Sequence, residues 1–199
     1  MKKKITKEQI IDTTIDLIRD KSDLRGLTMR EIARTLGCAH TNIYNHFPGY
    51  TGLLWETLSA LQKKFMGILK DDLSGARSAK LKLKYFFNTF VRVYLGNKGW
   101  FRLAWLEHIG GARPQGNIEV TKSTRQELDL LAAGIWKDLS GKKPDMGRIN
   151  RVMHTSHCYM IGELSNYISG RGLINNDAEF IKHTSGEAMR VFTLCMREE

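Results

Sequence analysis

The chain has 199 residues and a formal net charge of +10, from 31 Lys and Arg against 21 Asp and Glu. Hydrophobic residues at 42% and charged residues at 26% are globular values, so the chain is not disordered as a whole. Only 3 Pro and few alternating β-branched runs argue against an all-β fold. The cysteines, Cys38, Cys158 and Cys195, lie far apart and form no C-x-x-C, which disfavours a disulfide framework or zinc ribbon and fits a reducing cytosol.

Lys2, Lys3 and Lys4 precede an apolar stretch interrupted by Lys7, Glu8, Asp12 and Asp16, so no signal-peptide core is expected. The longest stretch of the C-terminal half free of Asp, Glu, Lys and Arg, Val152 to Gly162, is too short to span a bilayer. The expectation is a soluble, cytoplasmic protein with no membrane partner. The basic excess sits early. Residues 1–85 carry 16 Lys and Arg against 9 Asp and Glu, a net +7, and the remainder carries +3. Such a surface draws a polyanion through its field and counterion release, the alternative being a merely solvated basic face.

The first fifty residues predict three short helices. Thr6 to Gln9 forms a capping box, with Ile5 and Ile10 as a hydrophobic staple. Ile10, Thr14, Leu17 and Ile18 then recur at helical spacing until Ser22 to Gly26 interrupts the pattern. The second helix starts by the same device. Thr28 caps, Glu31 reaches back, and Met29, Ile32, Ala33 and Leu36 form the inner face. Gly37 ends it, and Ile43 and Phe47 mark the inner face of a third helix. Two short helices around a glycine-bearing turn suggest a helix-turn-helix.

The outward positions of the third helix are His40, Thr41, Asn42, Tyr44, Asn45 and His46. None carries a full formal charge at neutral pH, yet nearly all form hydrogen bonds, whereas a solvated helix would carry Lys and Glu. Asn matches the N6 and N7 edge of adenine, and Thr offers a hydroxyl or methyl to thymine. Tyr and His reach phosphate oxygens, which set register without reading sequence.

Residues 6–55 resemble the DNA-binding domain of the TetR family of bacterial transcriptional regulators. The resemblance is carried by Ile10-Ile11 with Leu17-Ile18, Gly26-Leu27-Thr28-Met29-Arg30-Glu31-Ile32-Ala33, Leu36-Gly37, Ile43-Tyr44-Asn45-His46-Phe47 and Leu53-Leu54. It implies that Thr28 and its helix N-terminus meet a phosphate. It implies that Arg30 contacts backbone or a base edge, that His40, Thr41, Asn42 and Asn45 read bases, and that Tyr44 and His46 hold phosphates. Two departures stand out. Ala39 replaces the usual Ser-like cap, and Ala caps poorly. Tyr50 stands near the place of a Lys that usually opens the fourth helix, and it offers a hydroxyl without a charge. The Lys2–Lys4 arm is a candidate to compensate from the minor groove.

From Gly52 to about Asp72 an apolar helix continues through Leu53, Leu58, Leu61, Phe65 and Leu69. Further helices are expected at Leu81 to Leu95, Lys98 to Ile109, Asn117 to Leu139, Met146 to Ser169 and Asp177 to Met196. The expected architecture is all-α, with a helix-turn-helix DNA-binding domain at 1–50, a connecting helix at 51–72 and a larger helical effector-binding and dimerisation domain at 73–199. The resemblance implies that the last two helices form a four-helix bundle with a second copy. Small residues at Ser156, Gly162, Ser165, Ser185, Gly186 and Ala188 would allow close approach.

Phe90, Tyr94, Trp100, Trp105, His108 and Trp136, with His154 and Cys158 as polar anchors, are candidates to line an effector pocket, or are simply core. His154, His157 and Cys158 share one helix at i, i+3 and i, i+4, but no third ligand is evident, so neither metal nor cofactor is expected. The expected function is a sequence-specific regulator of a double-stranded DNA operator, a repressor released by an unidentified small molecule. The alternative is a DNA-binding or architectural protein without a ligand. A helical-bundle enzyme ranks last: the chain holds no Glu-x-x-His, G-x-S-x-G, P-loop or G-x-G-x-x-G.

Overall fold

The computed structural model describes residues 5–21, 23–24 and 26–197, and every regular element among them is helical. The helices are α1 Lys7–Ile18, α2 Met29–Leu36, α3 His40–Tyr44, α4 Tyr50–Ser74, α5 Ala79–Leu95, α6 Lys98–Phe101, α7 Gln115–Ser140, α8 Met146–Ile168 and α9 Asp177–Arg197. The all-α expectation therefore holds. Local signals start these helices. Thr6 closes both halves of its capping box at α1, Ser78 accepts from Leu81 N at α5, and Asp145 accepts from Arg148 N at α8.

One predicted helix differs. Lys98 to Ile109 does not run as a single α-helix: α6 stops at Phe101, a π-helical turn covers Arg102–Leu106, and Glu107 is extended with φ −83° and ψ 135°. Trp105 and Leu106 emerge at 37% and 43% exposure, so the apolar pattern that suggested a longer buried face did not count buried residues. Beyond it, Gly110 and Gly111 take φ of 80° and 63°, a conformation that L side chains rarely adopt. The Gly110 carbonyl accepts from Trp55 Nε1 at 3.2 Å.

The chain divides into two compact units, one made of the residues up to Lys64 together with Asn97–Thr121, the other of Phe65–Gly96 with Lys122 onward. In the first unit, Ile10, Ile18, Leu27, Ile32, Ile43 and Phe47, each at most 2% exposed, form the core that α1, α2 and α3 share. Helix α6 docks on the end of α1. Gly99 N donates to Arg19 O at 2.9 Å, and Trp100 Nε1 donates to Ile15 O at 2.9 Å. Both carbonyls lie at a helix C-terminus, where carbonyls lack partners within the helix. The early turns of α4 and α7 are joined by a polar cluster. Buried Asn117 donates to Trp55 O at 3.3 Å and Ser59 Oγ at 2.8 Å, and Gln62 meets Thr121 at 3.0 Å.

In the second unit α5, α8 and α9 pack on one another. Phe192 of α9 meets Phe87 of α5 at 5.8 Å and Trp136 of α7 at 5.4 Å between ring centres, both edge-on. The Arg148 guanidinium lies 5.6 Å over the Trp136 ring, and its Nη2 donates to Cys195 O at 2.5 Å. Among the small residues of the last two helices, Ser156, Ser185 and Ala188 are buried within this unit, whereas Gly162 and Gly186 face outward.

Candidate nucleic-acid interface

The geometry of the interface begins at the caps of α2. Thr28 Oγ1 accepts from Glu31 N at 3.2 Å, while the Glu31 carboxylate pairs with Lys21 Nζ at 3.3 Å. At the other end Gly37 adopts φ 68° and ψ 35°, and Cys38 N donates to Ala33 O at 2.9 Å. This left-handed residue turns the chain sharply between α2 and α3, which is the task glycine performs without a Cβ penalty.

Helix α3 spans five residues, and Ile43, fully buried, anchors it from inside. Phe47, 2% exposed, holds the chain just beyond it, with Lys7 Nζ 5.5 Å from its ring centre. With these two turned inward, His40, Thr41, Tyr44, Asn45 and His46 are exposed and Asn42 is half-buried. His40 and Tyr44 stack edge-to-face at 6.2 Å, one helical turn apart. Ala39 starts α3 without a side-chain cap, at φ −68° and ψ 140°. That backbone conformation suits a capping hydroxyl. Ala39→Ser is therefore expected to stabilise the protein by about 1 kcal/mol, read as a rise in urea midpoint with an unchanged m-value; an unchanged midpoint would show that α3 gains nothing from a cap.

Thr28, Arg30 and Arg34 line a cleft of about 340 Å³ with Gly26 and Glu31, at the N-terminal end of α2. Arg34 is a residue that the sequence reading passed over. Its signal was available: it lies one helical turn after Arg30 and, like Arg30, is exposed. Tyr50 is placed differently from a free surface hydroxyl. It is half-buried, and its Oη donates to Leu24 O at a long 3.5 Å. Burial, then the Glu107 and Glu31 carboxylates, push its phenol up to about 12. Lys2–Lys4, and two residues of the break at 22–26, lie outside the described residues.

The candidate effector residues fall in both units. In the first, Trp100 is buried against α1, Trp105 is partly exposed and His108 is exposed. In the second, Phe90 and Tyr94 form a ring cluster with Phe65 and His157, and Trp136 belongs to the group around Phe192. His154 and Cys158 face solvent, with Sγ 3.7 Å from Nε2. No group of three or more His, Cys, Asp or Glu placed to hold a metal occurs among the described residues. Nor is any helix among them long and apolar enough to cross a membrane.

No protein-family model and no curated relative matches the chain. Solved structures do match it. A transcriptional regulator FadR from Bacillus subtilis, in complex with stearoyl-CoA, superposes with TM-score 0.64 at 15% identity, over 96% of this chain and 98% of that one. A TetR transcriptional regulator from Legionella pneumophila gives TM-score 0.65 at 18% identity, with the same coverage. A Rhodococcus sp. RHA1 protein of unknown function gives 0.73 at 13% identity, over 94% of this chain and 95% of that one. The fold is thus that of the TetR-family transcriptional regulators, across nearly the whole chain, as residues 6–55 suggested.

Proposed function

We propose that this protein is a sequence-specific DNA-binding transcriptional regulator, and that it acts as a cytoplasmic homodimer. The observation that carries the reading is the outward face of α3: largely exposed, without Lys, Arg, Asp or Glu, rich in hydrogen-bonding groups, and fixed from beneath by Ile43 and Phe47. In this reading residues 1–50 are the DNA-binding head, 51–72 the connecting helix and 73–199 the effector-binding and dimerisation body. Asn45, Asn42, Thr41 and His40 read base edges in the major groove. Tyr44, His46, Thr28 and Arg30 meet the backbone, with Arg34 joining them from the same cleft, and Tyr50 adds its hydroxyl where it can leave Leu24. The positive end of α2 favours a phosphate at Thr28.

A two-fold dimer through α8 and α9 would present two recognition helices to successive major grooves. The outward positions of Gly162 and Gly186 leave room there for close approach of a second copy. We further propose that the protein is a repressor released by a small molecule. Support comes from the second unit, where Trp136 Nε1, Ser156 Oγ and Thr184 Oγ1 are buried with no hydrogen-bond partner among the described residues. Native interiors seldom leave such groups unpaired, and a bound ligand is one way to pair them. A DNA-binding protein without a ligand is the competing reading.

The test is fluorescence anisotropy on the DNA upstream of the protein's own gene, beside a random duplex of equal length, at physiological salt. A specific binder is expected to prefer its site by about a thousandfold or more. Asn45→Ala should remove about 1–3 kcal/mol of that discrimination while leaving binding to random DNA and its salt slope unchanged. A ratio near one in both this assay and a genome-wide selection of bound fragments would overturn the reading.

A further inference from the structure

No Lys, Arg, Asp or Glu occurs from Thr35 to Trp55, although charged residues make up 26% of the chain. The run covers the turn after α2, the whole of α3 and the opening of α4. It therefore withholds from the major groove the side chains that read a G·C pair. Lys and Arg read guanine through O6 and N7, and Asp and Glu read cytosine through its N4 amino group. The readers that remain are those of the A·T pair: Asn for the N6 and N7 edge of adenine, and Thr, whose methyl meets the thymine methyl.

The fold gathers these readers into one patch. Thr41 and Asn45 stand one helical turn apart and both are exposed, with half-buried Asn42 beside them. Asn45 keeps a helical backbone at the end of α3, φ −67° and ψ −21°, so its i, i+4 relation to Thr41 and i, i+3 relation to Asn42 persist. All three side chains are short. They reach base edges only when α3 lies deep in the groove, and Gly37 and Ala39, both small and exposed, precede the helix. The longer side chains are placed elsewhere. Arg30 and Arg34 line the cleft with Thr28 at the start of α2, and the His40 ring stands edge-on to Tyr44 at 6.2 Å. The exposed Thr35 hydroxyl donates to Glu31 O at 3.1 Å and is turned back on its own helix.

We infer that the operator base pairs read by Thr41, Asn42 and Asn45 are A·T pairs, with adenine against the two amides and the thymine methyl against Thr41, and that a G·C pair at these positions is rejected. The rejection has a physical cause. Adenine offers a donor at N6 beside an acceptor at N7, which an Asn amide matches with its oxygen and its NH2 group. Guanine offers acceptors at both O6 and N7, so the amide oxygen then faces an acceptor. Turning the amide over moves the mismatch from one atom to the other and does not remove it. Cytosine, for its part, lacks the C5 methyl that Thr41 would meet.

This inference rests on the DNA-binding reading above, and its test separates the two. Fragments bound by the full-length protein are selected from a randomised duplex library, and the selection is repeated with Asn45→Ala, Asn42→Ala and Thr41→Ala. The positions whose preference a variant loses are those its side chain reads. They are expected to be adenine for the two Asn and thymine for Thr41. A second arm needs no variant. In the selected fragment, 7-deazaadenine at the Asn45 position removes N7 and keeps the base pair, and deoxyuridine at the Thr41 position removes only the methyl. The first should weaken binding by the parent about five- to a hundredfold and leave binding by Asn45→Ala unchanged. The second should weaken it about fourfold, the effect of one carbon group removed from an apolar contact. Guanine or cytosine at the positions that depend on these residues, variants that select the same fragments as the parent, or full affinity for the 7-deazaadenine fragment would overturn the A·T reading and leave the regulator in place. If no fragment is enriched and the duplex upstream of the protein's own gene is bound no better than random DNA, both readings fall together.

Discussion

Gly99→Ala is expected to unseat α6 from α1 and to weaken DNA binding without touching a DNA-facing residue. A Cβ on Gly99 would lie 1.6 Å from Ile18 O, 2.7 Å from Ile18 C and 3.2 Å from Arg19 O. All three atoms are backbone at the end of a helix, so none can swing aside as a side chain tip would. The helices must separate, and the bonds from Gly99 N to Arg19 O and from Trp100 Nε1 to Ile15 O lengthen or break. Overpacking of about 1–3 kcal/mol, with about 1 kcal/mol for each lost hydrogen bond, gives a loss on the order of 3 kcal/mol or more. Trp100→Phe, which keeps an aromatic ring and removes one donor, should lose only about 1 kcal/mol. The measurements are urea unfolding and DNA anisotropy on both variants. Equal stability of Gly99→Ala and the parent would refute the docking of α6 on α1. Loss of stability with undiminished DNA affinity would show that α3 keeps its pose without α6.

Phe192→Ala is expected to be the most damaging truncation in the second unit. The ring is fully buried and touches Phe87 of α5 and Trp136 of α7, so a single side chain of α9 fills the junction of three helices. Removing a buried Phe costs about 3–5 kcal/mol, part of it from the cavity that rigid neighbours cannot close. For a chain of this size that is a fall in melting temperature on the order of 10 °C. Leu194, on the same helix but 48% exposed, supplies the contrast: Leu194→Ala should change the melting temperature of the monomeric chain little. A small effect of Phe192→Ala would mean that the aromatic junction does not hold the unit together. If Leu194→Ala instead lowers the melting temperature in a concentration-dependent way, its exposed side chain lies in the proposed dimer contact.

Much of the head was legible because its signals are local. Thr6 with Gln9, Thr28, and Gly37 act through atoms within a few residues of themselves, so hydrogen-bonding chemistry at fixed spacing determined where α1 and α2 begin and where α2 ends. The inward turn of Ile43 and Phe47 follows from helical period alone, and it assigns the outward face of α3. Ala39 read as an absent cap, and α3 does begin without one. By contrast, Lys98 to Ile109 looked like one helix because aromatic and aliphatic residues recur at helical spacing. The π-helical turn and the exposed Trp105 lie between α6, which seats on α1, and the left-handed Gly110 and Gly111, and helical spacing records neither neighbour.

The sequence by itself determined the all-α class, the helix-turn-helix and the residues that α3 turns outward, since each depends on periodicity or on caps. Only the tertiary structure decided that Asn97–Thr121 packs in the same unit as the head, that Tyr50 points its hydroxyl at Leu24, and that Phe192 fills the space between Phe87 of α5 and Trp136 of α7. These are contacts between residues tens of positions apart. They are selected by which helices meet and at what register, and a chain read one segment at a time carries no measure of that distance.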